Sequence, residues 1–444
     1  MTTSLAARST WLLLAAALAG PPPTLAAEPF SVQDAIKAAW ARHPGLRAAR
    51  SQTAAARADA DAADHGWLPT LAVEAKAVRT DEPLMAFGIR LDQGVVTQGD
   101  FDPPRLNHPD GQTAVGAGLS ITQPIYAGGR ISAGRRATAA AAEGATASYE
   151  ARRQELSLGV VQAYFGAEAA EEGLRYADDL VAQARETEHF VRARNGQGLA
   201  LDADLARATA FRAQADAERA TALERVASAR SALALLCGDD TRDGALTTPL
   251  DEAPPAVPAD ASPSARPSVL AARLQRDAAG AGAEVARGSL LPSVGARASL
   301  ETLRTAGLGD GNTWYAIGLS ARWDLSLGDA DRARAARARA EAASEALAWE
   351  ERLAHREVED SRRAIEAAQA RVGSAGEALA ASGSALKLRH ARHEQGLLPL
   401  TDVLDAQTAL AGARALAVRS RLEVRVARAQ LAVALGQNVE GISP

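Results

Sequence analysis

The sequence predicts an α+β chain made of two structural repeats, each a pair of very long helices joined to a pair of short strands. Three observations carry this. The 444-residue chain repeats its own motifs in order, long proline-free stretches run in heptads, and four short segments alternate at period two. Composition agrees: hydrophobic residues make up 47 % but aromatics only 4 %. Alanine and small aliphatics therefore supply the apolar content, which packs helices closely but does not fill a wide globular interior.

The repeat is visible residue by residue. His43-Pro44-Gly45-Leu46-Arg47-Ala48-Ala49-Arg50 matches Arg266-Pro267-Ser268-Val269-Leu270-Ala271-Ala272-Arg273, and Leu68-Pro69-Thr70-Leu71 matches Leu291-Pro292-Ser293-Val294 in the same register. Further on, Gln197-Gly198-Leu199 matches Gln395-Gly396-Leu397, Asp204 matches Asp402 and Gly238 matches Gly436. The first copy carries surplus residues between Thr80 and Gln112, where four prolines sit among six acidic residues. This reads as a long polar loop, against the short Leu303–Asn312 of the second copy. The expected organisation is an export signal over 1–27, a first repeat over 28–238, a Pro- and Asp-rich linker over 239–265, a second repeat over 266–438 and a tail over 439–444.

The N-terminal segment has the form of a secretory signal. Arg8 precedes an apolar stretch from Trp11 to Ala19, followed by Gly20, three prolines and small residues that allow cleavage after Ala26 or Ala27. The stretch is too short to span about 30 Å of hydrocarbon, and no later segment is long and uncharged enough to do so. The mature chain is expected to be exported without a helical anchor.

No proline occurs between Pro124 and Pro249 or between Pro292 and Pro399. Ile131–Arg194 and Ala330–His393 have equal length, and each as one helix extends on the order of 100 Å. Val358, Ile365, Val372, Leu379 and Leu386 recur every seventh residue, with the small Ser361, Ala368, Ala375 and Ser382 three positions later. The partner segment has Val403, Leu410, Ala417, Val424 and Leu431 beside Ala406, Ala413, Ser420, Ala427 and Ala434. One large and one small seam describe a close-packed coiled coil. Gly396-Leu397-Leu398-Pro399 and Gly196-Gln197-Gly198 fold each pair back as a hairpin.

The strands change the reading. Leu71, Val73, Ala75 and Ala77 alternate with polar or small residues, as do Val115, Ala117, Leu119 and Ile121. In the second copy Val294, Ala296, Ala298 and Leu300 do so, then Tyr315, Ile317, Leu319, Ala321 and Trp323. Such alternation fits the strands of a transmembrane barrel, with Trp67, Tyr126, Trp314, Tyr315 and Trp323 near strand ends as an aromatic girdle. A half-buried soluble sheet is disfavoured because the rest of the chain is long helix and offers no second layer. Four strands cannot close a barrel, and an open edge is not tolerated in lipid. The chain is expected to oligomerise; a trimer would supply twelve strands.

These pieces together resemble the TolC family of outer-membrane efflux and secretion ducts. The resemblance rests on Ser31-Val32-Gln33-Asp34-Ala35-Ile36 leading to His43-Pro44-Gly45-Leu46, on both Leu-Pro strand starts, and on Gln123-Pro124-Ile125-Tyr126-Ala127-Gly128-Gly129-Arg130. Trp323-Asp324-Leu325-Ser326-Leu327-Gly328-Asp329 is its second copy, and Gly396 through Gln407 is similar to the family's hairpin tip. The resemblance implies a trimeric, twelve-stranded outer-membrane β-barrel continued by a long periplasmic α-helical barrel. It further implies a passive duct of a tripartite efflux or type I secretion system, docked by a periplasmic adaptor (membrane fusion) protein and an inner-membrane transporter. The alternative is a periplasmic coiled-coil scaffold without a pore.

In this family the tips face the adaptor, so Gly198, Leu199, Asp204, Gly396, Leu397 and Asp402 are the docking candidates. The plainer role of Gly and Asp there is to form turn and helix cap. The first tip departs from the second, with Leu201 in place of Pro399 and Arg207 in place of Asp405. Some family members narrow the pore with aspartates just before the second tip; Ser384–His393 has none and carries Lys387, Arg389, His390, Arg392 and His393 instead. A basic pore entrance of this kind would favour anionic cargo.

Other chemistry is poorly served. With 49 Lys+Arg against 54 Asp+Glu the net charge is −5, which gives no electrostatic footprint for nucleic acid. The single Cys237 excludes an internal disulfide framework and a multi-thiolate metal site, and its counterpart Leu435 points to a small buried residue. His390 and His393 have helical spacing but no third ligand nearby, so a solvated tip is the better reading. Only Met1 and Met85 are methionines, which argues against a soft-metal relay. No phosphate loop, nucleophile motif or metal quartet appears, so neither an enzyme nor a cofactor is expected.

Overall fold

The computed structural model describes residues 29–241, 243–252, 262–305, 309 and 311–439; the expected export signal lies outside them. In the first repeat the order is α1 (Val32–Arg42), α2 (Pro44–Asp64), β1 (Thr70–Thr80), α3 (Pro83–Asp92), α4 (Pro103–Asn107), β2 (Gln112–Tyr126), α5 (Arg130–Gly196) and α6 (Asp202–Cys237). The second repeat has α7 (Pro267–Gly288), β3 (Ser293–Thr305), β4 (Gly311–Arg322), α8 (Leu327–Glu394) and α9 (Leu400–Ala434). The two copies thus share a helix, strand, strand, long helix, return helix plan. The chain divides into two compact units, Ala49–Tyr149 with Ser268–Glu351, and the remainder.

The described residues of the remainder are mostly helical. Helices α5 and α8 run 67 and 68 residues, a few residues beyond the expected 131–194 and 330–393. Alanine favours the helix at every turn, but propensity alone does not hold helices of this length in place; packing along the seams does. On α9 the small seam is buried over its whole length, at Ala406, Ala413, Ser420, Ala427 and Ala434. On α8 Ser361, Ala368 and Ala375 are likewise buried. Only Val358, Val403 and Leu410 of the large seam are buried to that degree, so close approach runs along the small residues.

The main core of this unit joins α1 to α5, α6 and α9 through Ile36, Val160, Val161, Tyr164, Phe165, Leu233, Cys237 and Val418. Ser31 caps α1, its hydroxyl accepting from the Asp34 amide while the Asp34 carboxylate accepts from the Ser31 amide. The Ser31 hydroxyl also donates to the Asp34 carboxylate at 2.7 Å, and that bond, with the one from the Ser31 amide, holds the Asp34 carboxyl below its ordinary range. Tyr164, fully buried, donates to Phe30 O at 3.0 Å and accepts from the amides of Thr247 and Thr248 at 2.9 Å. The segment joining the repeats is bound here too: Leu250 is buried in the same core and Leu246 bridges Phe30 in parallel. Cys237 is buried and its thiol donates to Ala35 O at 3.3 Å, the small core residue expected of it.

The other unit holds one four-stranded antiparallel sheet in the order β1-β2-β3-β4. The strands match the expected segments, except that β4 ends at Arg322 and leaves Trp323 just beyond it. One expectation is corrected. The stretch from Thr80 to Gln112 is not a plain loop, because it contains α3, a 3₁₀ turn over Gln98–Phe101 and α4. Pro83 is tolerated in the first turn of α3, where no amide partner is lost, and the Glu82 carboxylate caps Leu84 and Met85. Apolar residues within the stretch then supply a face to bury.

Candidate functional site: a two-faced sheet and the hairpin tips

Register fixes the two faces of the sheet. Val73 pairs with Leu119, which pairs with Leu300, which pairs with Tyr315. One row nearer the helices, Leu71, Ile121, Ala298 and Ile317 align in the same way. Paired residues share a face, so these rows form a continuous apolar surface. Nothing among the described residues covers it: Val73, Tyr315, Ile317 and Leu319 are each at least 76 % exposed. An uncovered apolar sheet face of this extent belongs in hydrocarbon.

The opposite face is polar and small. Ala72, Ser120, Ser299 and Ala316 form one row, and Glu74, Gly118, Glu301 and Trp314 the next. Lys76 Nζ lies 3.0 Å from Glu301. Gly116 leaves room here, since a Cβ would sit 2.8 Å from Leu303 Cδ1 and 3.4 Å from Lys76 Cε. Both outer strands, β1 and β4, have one edge without a partner strand among the described residues.

The aromatics expected to form a girdle divide by their surroundings. Tyr126 and Trp323 are exposed at the helix-side ends of the sheet, the Trp323 indole donating to Leu290 O at 3.1 Å, and Tyr315 is exposed on the apolar face. Trp314 is corrected: as the strand neighbour of Tyr315 it falls on the polar face, where it packs with Ile89, Ala114, Leu303 and Val78. Trp67 is half-buried, its carbonyl accepting from Gln123 Nε2 at 2.8 Å.

The tips close alike. Gly198 and Gly396 have φ of +76° and +74°. The Gly198 and Leu199 amides donate to Asn195 O and Arg194 O, and those of Gly396 and Leu397 to His393 O and Arg392 O, all at 2.8–2.9 Å. This is the Schellman closure, in which glycine takes the left-handed position. Leu199 and Leu397 are left exposed at 64 % and 68 %. Asp204 and Asp402 are not the caps; Leu201 and Pro399 hold those positions, and each aspartate sits in the first turn, where a carboxylate suits the helix dipole. Beneath the tips Leu400, buried, packs with Val191 and Ala208, joining the two hairpins.

The basic set before the second tip divides in two. Lys387, Arg389 and Arg392 are exposed, although Arg389 also donates to Asp402 O at 3.1 Å. His390 stands 3.4 Å from Glu394. His393 instead clamps the turn, its Nδ1 2.8 Å from Leu398 O and its ring 6.0 Å edge-on to Phe190. The matching residue of the first tip, Asn195, donates to Ala200 O at 3.0 Å. Sequence reasoning missed Asn195, although its place in the repeat was the signal.

Fold and faces together define a class: a chain of long paired helices with a small antiparallel sheet that is apolar on one face and polar on the other. No helix among the described residues is long and apolar enough to cross a membrane. The outer membrane efflux protein family matches residues 35–239 and 261–437, and the chain belongs to that family. Its place is the outer membrane, extending into the periplasm, as a channel of tripartite efflux. Solved channels share the fold. VceC of Vibrio cholerae is 21 % identical with a TM-score of 0.79, covering 92 % of this chain and 96 % of its own. The CmeC outer membrane channel of Campylobacter jejuni is 17 % identical with a TM-score of 0.80, over 93 % and 87 %. The MtrE outer membrane channel of Neisseria gonorrhoeae is 22 % identical with a TM-score of 0.75, over 92 % and 90 %. No curated protein sequence matches the chain.

Proposed function

We propose that the chain acts as a homotrimeric passive duct, in which β4 of one copy pairs with β1 of the next to close a twelve-stranded barrel. The observation that carries this is the sheet itself, with its apolar face uncovered and both edges unpaired among the described residues. In lipid an unpaired edge costs several kcal/mol per orphaned backbone group, so closure through copies is the economical solution. Leu199, Leu397 and the turns held by Gly198 and Gly396, with Asp204 and Asp402 beside them, form the docking surface for a periplasmic adaptor that also engages an inner-membrane transporter. Their exposure and matched geometry support that role. Lys387, Arg389, His390 and Arg392 form a basic pore entrance that favours anionic cargo; His393 joins them in sequence while holding the turn. The test is reconstitution of the mature chain: heat-modifiable trimers in outer-membrane fractions and conductance in planar bilayers are expected. Release by salt without detergent would point instead to a scaffold without a pore.

A further inference from the structure

The insertion between β1 and β2 is folded onto the polar face of the sheet, at the ends of the strands away from the helices. Ile89, buried, packs on Ala114, Leu303, Val78 and Trp314, all on that face. Gln93, also buried, donates from Nε2 to Thr113 O at 3.3 Å and to Arg304 O at 3.1 Å, so that it caps the ends of β2 and β3. Gly94 at φ +73° ends α3 and turns the chain back, and Arg90 lies 3.0 Å from Asp100. The Thr97 amide and hydroxyl, with Arg90 beside them, hold the Asp100 carboxyl below its ordinary range. Ala86 and Ile89 are buried beneath α3, yet Leu84, Met85 and Leu91 on its other sides are exposed. Apart from Arg90 and Asp92 the helix is apolar, and a helix with apolar residues on more than one side expects neighbours on more than one side.

We infer that residues 83–107 are a lumenal cap, three of which narrow the outer mouth of the duct and decide what size of solute passes it. The inference rests on the trimeric reading above, which makes the polar face the lumen. The second copy, with its short Leu303–Asn312 connection, has no such insertion, so one cap per chain would surround the axis. The exposed Leu84, Met85 and Leu91 would then line the opening, an apolar constriction of the kind that restricts passage by dewetting.

The test is labelling of intact cells from outside with maleimides carried on polyethylene glycols of graded size. The target is Ser299→Cys, on the polar face below Trp314, in the full chain. Cys237 is fully buried and gives no background. With the cap present, the small reagent is expected to label and the large ones to fail. Replacing residues 82–110 by a short Gly-Ser turn should admit larger reagents, and Ile89→Asp with Gln93→Ala, which undocks the cap without removing it, should do the same. A size limit identical in capped and uncapped chains overturns the cap. Failure of even the small reagent in the uncapped chain, or its reaction with Ile317→Cys on the lipid face, overturns the trimeric barrel instead.

Discussion

Gly128 and Gly288 meet so closely that neither can carry a side chain: a Cβ on Gly128 would lie 2.3 Å from Gly288 O, and one on Gly288 2.6 Å from Gly128 O. Gly128 also has φ +62°. Here the chain leaving β2 crosses the end of α7, and the contact fixes where the first repeat's sheet joins the second repeat's helix. Gly288→Val is predicted to cost about 1–3 kcal/mol, as overpacking does. The measurement is the temperature at which the oligomer dissociates on heated gels, which should fall, whereas Gly134→Ala, in open space, should leave it unchanged.

The two faces of the sheet should respond oppositely to charge. Ile317→Arg places a guanidinium on the apolar face and should cost about 2–4 kcal/mol near the bilayer midplane. Ser299→Arg, on the other face, should leave assembly intact. Yields of folded, heat-modifiable protein in the outer membrane measure the difference, and equal tolerance would contradict the assignment of faces.

Docking should separate from assembly. Leu199→Asp with Leu397→Asp changes exposed side chains and leaves both Schellman turns closed, so trimer and conductance should persist while cross-linking to the cognate adaptor is lost. Gly396→Ala acts differently. It strains a left-handed position by about 1 kcal/mol and should weaken docking only through the shape of the turn.

Burial raises the carboxyl of Glu168 above its ordinary range; Arg175 opposes this and Glu171 adds to it. The folded state therefore holds this proton more tightly than the unfolded state. Its contribution to stability declines as pH rises from the unfolded value through the raised folded one. Glu168→Gln should accordingly raise the melting temperature of the helical unit at neutral pH and change it little in acid. Melts at both pH values, followed by far-UV circular dichroism, give the comparison.

Tyr164 ties Phe30 to Thr247 and Thr248 through one hydroxyl. Tyr164→Phe keeps the ring contacts with Phe30 and Phe165 and leaves the Thr247 amide its bond to Phe30 O at 3.2 Å, but takes the acceptor from the Thr248 amide. A loss of about 1–3 kcal/mol is predicted, read by urea unfolding of the helical signal.

Much of this architecture was legible because its periods are strong. Heptads carried by Ala406, Ala413 and Ala427 predicted the buried seam, and alternation through Leu71–Ala77 and Tyr315–Ala321 predicted which residues share a face. The cap was not legible. Its prolines read as loop, and α3, with Ile89 beneath and Leu84 and Leu91 outside, shows no single apolar stripe. Trp314 was misplaced because adjacent aromatics on a strand must point to opposite faces, and only register decides which one shares the apolar face. His393 read as part of a charged surface, since its bond to Leu398 O belongs to a turn whose geometry the sequence does not display.

The shared edge between copies is the centre of this account, and disulfide trapping tests it most directly. With Cys237→Ala, a cysteine at Ala75 on β1 is combined with single cysteines walked along β4 from Thr313 to Ala321. At the matching position, oxidation in membranes should give a covalent ladder that stops at three chains. A ladder that continues past three, or no cross-link at any position, would contradict it.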